Sequence, residues 1–293
     1  MSRILQHLVY TGQVFFGRVS AGRGVTVLPE DRFLVSYPRS GSTWTRFLIG
    51  NLVYTDEPVT FANLELRLPS IYLCQDRRLR RQPRPRLLTS HECFDPRYKN
   101  IIYVVRDPRD VAVSYYHYCV KNRHIPVGYP MDDFVSRYVA VEVHPAYDRW
   151  GSWADHVMSW LAMRRDHSDF LFLRYESMLD NPERELAKVA SLLGIDATPE
   201  RLRRAVQLSS ADQMRNLEKT QHHLWTQTNS TRAEIPFVRA ASSGGWRSTL
   251  PESSVSKIEA AWGSVMQSLG YTLSRDLPSA APTAKQEPVN YRN

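Results

Sequence analysis

The stretch FLVSYPRSGSTWTRFLIGNLVY, Phe33 to Tyr54, decides the fold. An apolar run ends at Tyr37, and Pro38, Arg39, Ser40, Gly41, Ser42 and Thr43 follow before an amphipathic segment begins. Strand, small-residue turn, helix is the layout of an anion cradle. Gly41 lets the backbone approach a ligand closely, and the first amides and dipole of the new helix favour negative charge there. Ser40, Ser42 and Thr43 add hydroxyls, and Arg39 adds a permanent positive charge. A plainer reading is a capped helix, with Ser and Thr satisfying its orphan amides. The turn is not a Walker A loop, because Gly41 stands alone with no Lys beside it.

Working outward, strand-like and helix-like runs alternate. Strands are expected at Arg32–Tyr37, Leu87–Ser90, Ile101–Arg106 and Phe170–Arg174. Their short, unbroken apolar character suits strands buried on both faces. Asn181-Pro182 opens a helix that Gly194 closes, and Thr198-Pro199-Glu200 opens the next. Val255, Ile258, Trp262, Val265, Met266 and Leu269 form one apolar stripe of a final helix, Glu252 to Leu269, stopped by Gly270. The expected architecture is α/β: a P-loop-like three-layer fold with a central, mainly parallel sheet flanked by helices.

A second junction, IIYVVRDPRDVAVSYYHY, spans Ile101 to Tyr118. Arg106 falls at the C-terminal end of its strand, where open α/β sheets bind ligands. Ser114 lies about one turn inside the following helix and can share an anion with Arg106, while Asp110 is the expected helix cap. The plainer alternative is a salt bridge from Arg106 to Asp107 or Asp110.

The chain has 293 residues, 42% of them hydrophobic, enough for a substantial core. Its net charge of +8 suits anionic ligands without choosing among them. Cys74, Cys93 and Cys119 are odd in number and match no metal pattern, which favours a reduced, cytoplasmic setting. The N-terminal ILQHLVYTGQVFFGRV is too interrupted for a signal peptide and too short for a transmembrane segment. It reads as a helical extension over residues 1–28 of a single domain, 1–273. The Pro-, Ala- and Ser-rich residues 274–293 read as an unstructured tail. DRRLRRQPRPR, residues 76–86, reads as an exposed basic loop.

These motifs carry a resemblance. YPRSGSTW resembles the 5′-phosphosulfate loop of the cytosolic-type sulfotransferases, usually Y-P-K-S-G-T-T-W, and RDPRDVAVSYYHY resembles their 3′-phosphate segment. RAASSGGWR, Arg239 to Arg247, is similar to R-K-G-x-x-G-D-W-K, and LFLRYESMLDNPERE to L-x-x-Y-E-x-M-x-x-[ND]-P. The likeness runs from about residue 30 to 272. It implies 3′-phosphoadenosine 5′-phosphosulfate (PAPS) as sulfuryl donor, 3′-phosphoadenosine 5′-phosphate (PAP) as product, and no metal. It implies Arg39 at the leaving oxygen, and Ser40, Gly41, Ser42, Thr43 and Trp44 around the 5′-phosphate. Arg106, Ser114 and Arg239 correspond to a 3′-phosphate clamp, Tyr175 to an adenine contact, and Ser210 to a weaker one. Ala240 and Ala241 replace the Lys and Gly of R-K-G, and Thr89 stands where the family often has a Lys before its base.

A general base needs a pKa near working pH, which favours His. Of nine histidines, His91 ends the run RLLTSHE, where the family's base stands in a segment resembling K-T-H. His117, three residues past Ser114, reads as packing or lining. The acceptor, a hydroxyl or amine of a small molecule or glycan, is not legible. Tyr72, Tyr129, Tyr147, Trp150, Trp153 and Trp225 are candidates either for an aromatic pocket or for plain packing, and the Arg-rich loop for attracting an anionic acceptor. No dimerisation pattern is found, so the oligomeric state stays open. Two rival readings stand beside this one. A P-loop kinase or NTPase lacks its Walker Lys and a clear Mg²⁺ carboxylate. A non-enzymatic anion or nucleic-acid binder lacks aromatics interleaved in its basic run, so no nucleic-acid partner is expected.

Overall fold

The computed structural model describes residues 20–143 and 150–276. At its centre lies an all-parallel sheet of four strands: β1 (Arg32–Ser36), β2 (Leu87–Ser90), β3 (Ile101–Val105) and β4 (Phe170–Arg174). Their order is β2-β1-β3-β4. Phe33 pairs with Leu88 on one side and Ile101 on the other.

Because successive side chains point to opposite faces, each strand feeds two cores. Phe33, Val35, Ile101, Tyr103 and Val105 join one cluster, with Val111 and Tyr115 of α4 (Pro108–Lys121), Phe134 of α5 (Met131–Val139), Trp160 of α6 (Trp153–Arg164) and Trp262 of α12 (Glu252–Ser268). Leu34, Ile102 and Val104 join the other, with Leu48 of α1 (Ser42–Val53), Leu186 of α8 (Pro182–Leu193) and Ala205 of α9 (Pro199–Leu208). The result is three layers, helix–sheet–helix, as the alternating pattern required. The short helices α2 (Leu64–Arg67) and α3 (Asp76–Leu79) lie in the crossover from β1 to β2. Helix α7 (Tyr175–Asp180) follows β4, α10 (Ala211–Gln221) follows α9, and the one-turn α11 (Trp246–Thr249) precedes α12.

The strand order sets the site. From β1 the chain moves outward to β2, then crosses back to lay β3 on β1's other edge. Neighbouring crossovers thus leave in opposite directions at the β1/β3 boundary, opening a crevice at the strands' C-terminal ends. The two junction motifs, after β1 and after β3, flank that crevice.

Helix ends follow local chemistry. The Asn181 and Thr198 side chains accept from the Arg184 and Arg201 amides, with Pro at the first helical position each time. Gly194 and Gly270 end α8 and α12 at φ of 65° and 79°.

Three expectations need correction. Residues 20–28 do not continue a helical extension: apart from one 3₁₀ turn at Gly22–Gly24 they run irregularly, with the Ala21 and Gly22 amides bonded to the Cys74 and Ile71 carbonyls. Residues 1–19 of that expected extension lie outside the described residues. The basic stretch is not wholly an exposed loop, since Asp76–Leu79 is helical and Arg86 is buried. At the other end, Ser274–Asp276 form a 3₁₀ turn whose Ser274 hydroxyl donates to Glu259 at 2.6 Å. Order thus extends three residues past the boundary expected at 273, and residues 277–293 lie outside the described residues.

Arg86 shows why one arginine of six turns inward. Its side chain and that of Asp31 are both 0% exposed; Arg86 Nε donates to Asp31 at 2.7 Å and Nη2 to the Thr26 carbonyl at 2.7 Å. The pair ties the start of β2 to the turn before β1. Removing one member strands the other as a buried charge, at about 3–5 kcal/mol. Arg86→Ala is therefore expected to lower the unfolding free energy measured by urea titration by that amount, whereas Arg81→Ala, on an exposed residue, is expected to change it by less than about 0.5 kcal/mol.

Candidate active site

The turn after β1 is shaped by two left-handed residues, Arg39 at φ 68° and Gly41 at φ 98°. Gly41 is required for a second reason: a Cβ there would lie 2.4 Å from the Tyr175 ring. Helix α1 begins at Ser42, and Gly41 at its N-cap provides no side-chain cap. The amides of Ser42, Thr43 and Trp44 therefore have no intrahelical partner. This is the arrangement of an anion cradle rather than a capped helix end. Ser40 is fully buried beneath the turn, its hydroxyl without a partner.

At the end of β3, Arg106 makes neither ion pair of the plainer reading. Its Nη2 donates to the Ser242 carbonyl at 3.0 Å, its guanidinium lies 4.3 Å from the Tyr175 ring centre, and its Nε is buried without a partner. The helix cap is Asp107, not Asp110; it accepts from the Arg109 amide, with Pro108 at the first position. Asp110 has another task. Its carboxylate accepts from the amides of Gly244 at 2.7 Å and Trp246 at 3.0 Å. That clamp pins the 239–247 segment, one hundred residues and more downstream, onto α4. Within the segment Ala241 holds φ 50°, a left-handed backbone normally left to Gly and costly to a residue with a Cβ.

All the expected site residues except Ser40 line one cavity of about 920 Å³. Three guanidiniums converge there. Arg39 Nε lies 3.4 Å from Ser114 Oγ, and its guanidinium stacks over Tyr118 and Phe237 at 4.8 and 5.1 Å. Burial, then the charges of Arg39 and Arg106, push the Arg239 guanidinium down to about 10, with Asp110 opposing. Cations held this close repel one another in the free protein.

Trp44 and Tyr175 meet edge to face at 5.4 Å, and the Trp44 indole N–H donates to the Ser209 carbonyl at 3.0 Å. Ser210 lines the cavity while its hydroxyl caps α10, accepting from the Gln213 amide at 3.4 Å.

His91 follows β2 and lines the same cavity. Its Nδ1 lies 2.8 Å from the Ser36 carbonyl, an acceptor only, so Nδ1 carries the proton and Nε2 is the basic nitrogen. Tyr72 stacks on the imidazole at 5.7 Å, accepts from the His91 amide at 2.9 Å and donates to Glu92 at 3.0 Å. Burial lowers the His91 pKa to about 4 against the pull of the Ser36 carbonyl, and the charges of Arg46 and Arg39 lower it further.

The aromatic candidates divide. Tyr72 and Trp150 line the cavity. Trp153 and Trp225 are buried in the core, their indoles spent on the Arg106 carbonyl and Glu65, and Tyr129 packs against the large cluster. Tyr147 lies outside the described residues. His117 and the six arginines of residues 77–86 do not line the cavity. Sequence reasoning missed the Asp110 clamp and the Tyr72 prop; both act through bonds between segments far apart in the chain, which no local spacing announces.

Fold and cavity together define an α/β protein of the P-loop type with an arginine-lined cavity at its strand-order reversal. A family model described as sulfotransferase domain matches residues 29–270. The chain belongs to the sulfotransferase domain family. Mouse sulfotransferase 1B1 is 28% identical over 268 residues, covering 86% of this chain and 88% of its own. Dog sulfotransferase 1A1 is 28% identical over 267 residues, covering 85% and 88%. Among solved structures, mouse SULT7A1 complexed with PAP superposes with a TM-score of 0.66 at 25% identity, covering 88% of this chain and 89% of that one. Retinol dehydratase, with androsterone and PAP, shares the fold at a TM-score of 0.71 and 19% identity, covering 90% and 88%. Among the described residues, no helix is long and apolar enough to cross a membrane.

Burial depresses three histidines from 6.5: His91 and His117 to about 4 and His156 to about 3. Each stays neutral in the folded state while the unfolded chain takes up protons, so stability present above pH 6.5 is lost as pH falls toward 4 and 3. Urea midpoints are expected to fall already between pH 6.5 and 5, above the range where most carboxylates titrate. A flat profile there would contradict the burial of these rings.

Proposed function

We propose that this protein transfers a sulfuryl group from PAPS to a hydroxyl of a small-molecule acceptor and releases PAP. The observation that carries the reading is the convergence of Arg39, Arg106 and Arg239 beside the uncapped amides of α1. One cavity carrying three guanidiniums and the free amides of a helix N-terminus suits a ligand with two phosphates. The partnerless Arg106 Nε fits such a ligand as a further donor. Family membership and the PAP held by the mouse relative support the same reading.

When bound, the donor supplies an activated sulfur–oxygen bond; the protein's task is alignment and charge. In this reading the amides of Ser42, Thr43 and Trp44, with the hydroxyls of Ser42 and Thr43, hold the 5′-phosphate, Ser40 supports the turn from beneath, and Arg39 steadies the oxygen that leaves. Arg106, Ser114 and Arg239 grip the 3′-phosphate, aided by the backbone at Ala240 and Ala241. The adenine lies against the Trp44–Tyr175 pair, near Ser210. Tyr72 and Trp150 flank the acceptor. As sulfur bonds to the acceptor oxygen and parts from the donor phosphate, His91 Nε2 takes the hydroxyl proton. The negative charge of the bound donor raises the basicity of His91 from its low value in the free protein. Three cysteines free of disulfides accord with a cytoplasmic setting.

ATP lacks the 3′-phosphate that the Arg106–Ser114–Arg239 clamp reads. PAP is expected to raise the melting temperature by several degrees at concentrations where ATP does little; stabilisation by ATP alone would overturn the reading. His91→Ala is expected to keep PAP binding and lose about 10²–10⁴-fold in turnover. Turnover at the parent rate would mean another base.

A further inference from the structure

Arg46 lies in the opening stretch, two residues past the YPRSGSTW motif. It lies on α1 four residues after Ser42, so it projects from the same helix face as the cradle, one turn further on. Its side chain is 3% exposed and lines the cavity. Nε donates to the Leu68 carbonyl at 3.0 Å, and Nη2 donates to that carbonyl and to Glu65, the latter at 2.7 Å. None of these bonds uses Nη1. The bonds that fix the guanidinium thus leave one of its nitrogens for the cavity.

A second, independent observation lies next to it. Thr89 on β2 also lines the cavity, and its hydroxyl is buried with no partner. Its amide donates to the Pro69 carbonyl at 2.9 Å, and it bridges Ser70. Thr89 therefore adjoins the 68–70 segment that Arg46 holds. It stands two residues before His91, at the position where the resemblance called for a Lys. A cation absent from β2 is matched by one entering from α1.

We propose that Arg46 is a second electrostatic residue of the transfer site, its Nη1 meeting the sulfuryl oxygens between the phosphate cradle and His91, with Thr89 Oγ1 as hydroxyl partner. The inference rests on the sulfotransferase reading. Arg46 shares a helix face with the cradle at one end of the gap, and its charge is felt by His91 at the other, more strongly than that of Arg39. In the step itself the donor S–O bond breaks, the acceptor S–O bond forms and the acceptor proton passes to His91. The negative charge on the three sulfuryl oxygens in flight is what Arg46 faces.

The test compares Arg46→Lys and Arg46→Met with the parent enzyme. It reads PAP affinity, kcat with saturating donor and acceptor, and the acid limb of kcat/KM. The groups around His91 that bear on that limb are Tyr72, Glu92, His156, Arg39 and Arg46. Arg46→Met is expected to lower kcat at least about 100-fold, leave PAP affinity within about threefold and move the acid limb to higher pH. Arg46→Lys keeps a cation but cannot reproduce the forked tie to Leu68 and Glu65. It is expected to keep kcat within about tenfold and the limb in place. If Arg46→Met fails to fold because Glu65 is left unpaired, Arg46→Met with Glu65→Gln replaces it. If neither folds, the Lys variant decides alone. A folded Met variant with kcat within threefold of the parent would overturn the proposal, and so would a folded, PAP-binding Lys variant that loses 100-fold. Parent enzyme without sulfuryl transfer would instead strike at the functional reading itself.

Discussion

Three guanidiniums held within one another's field are the constraint from which the rest of this structure follows. Arg39, Arg106 and Arg239 come from three separate segments, and bringing them together is electrostatically unfavourable in the free protein. The parallel pairing of β1 with β3 sets the first two side by side at the mouth of the sheet. The third depends on Asp110, whose carboxylate holds the Gly244 and Trp246 amides and so fixes the whole 239–247 segment over α4. Asp110 opposes the cationic field without closing on Arg106, which keeps Nε free of any described partner. Repulsion left standing at the mouth of a cavity becomes binding energy when an anion arrives.

His91, the base of the proposed reaction, is governed by the same field. His91 is fixed through Nδ1 by the Ser36 carbonyl, propped by Tyr72, and kept neutral by burial among cations. A neutral imidazole can accept a proton; a charged one cannot. The Ser36 carbonyl belongs to β1 and His91 follows β2, so the strand pairing that builds the crevice also sets the tautomer. Tyr175 links these parts: its ring excludes any side chain at position 41, meets Trp44 edge-on, and lies against Arg106.

Much of this was legible in the sequence. The unbroken apolar runs announced doubly buried parallel strands, and Pro and Gly marked the helix ends. The 38–44 and 106–114 segments could be read as anion sites because their chemistry is local. What was not legible depends on contacts across the chain. Asp110 was expected to cap its own helix, but Asp107, set before Pro108, takes that role and frees Asp110 for a distant segment. Arg86 looked like one more exposed arginine until Asp31 and Thr26 closed around it. Trp153 and Trp225 could be read as pocket or packing residues, because an aromatic ring reads the same whether it lines a cavity or fills a core, and only the structure places them in the core. Arg46 lay within the stretch that decides the fold, yet its relation to Thr89 and His91 needed the sheet.

The most direct measurement is a crystal structure of the protein with PAP. The account requires the 5′-phosphate on the amides of Ser42 to Trp44, the 3′-phosphate between Arg106, Ser114 and Arg239, and the adenine against the Trp44–Tyr175 pair. A nucleotide bound elsewhere, or turned so that the three arginines touch neither phosphate, would contradict it.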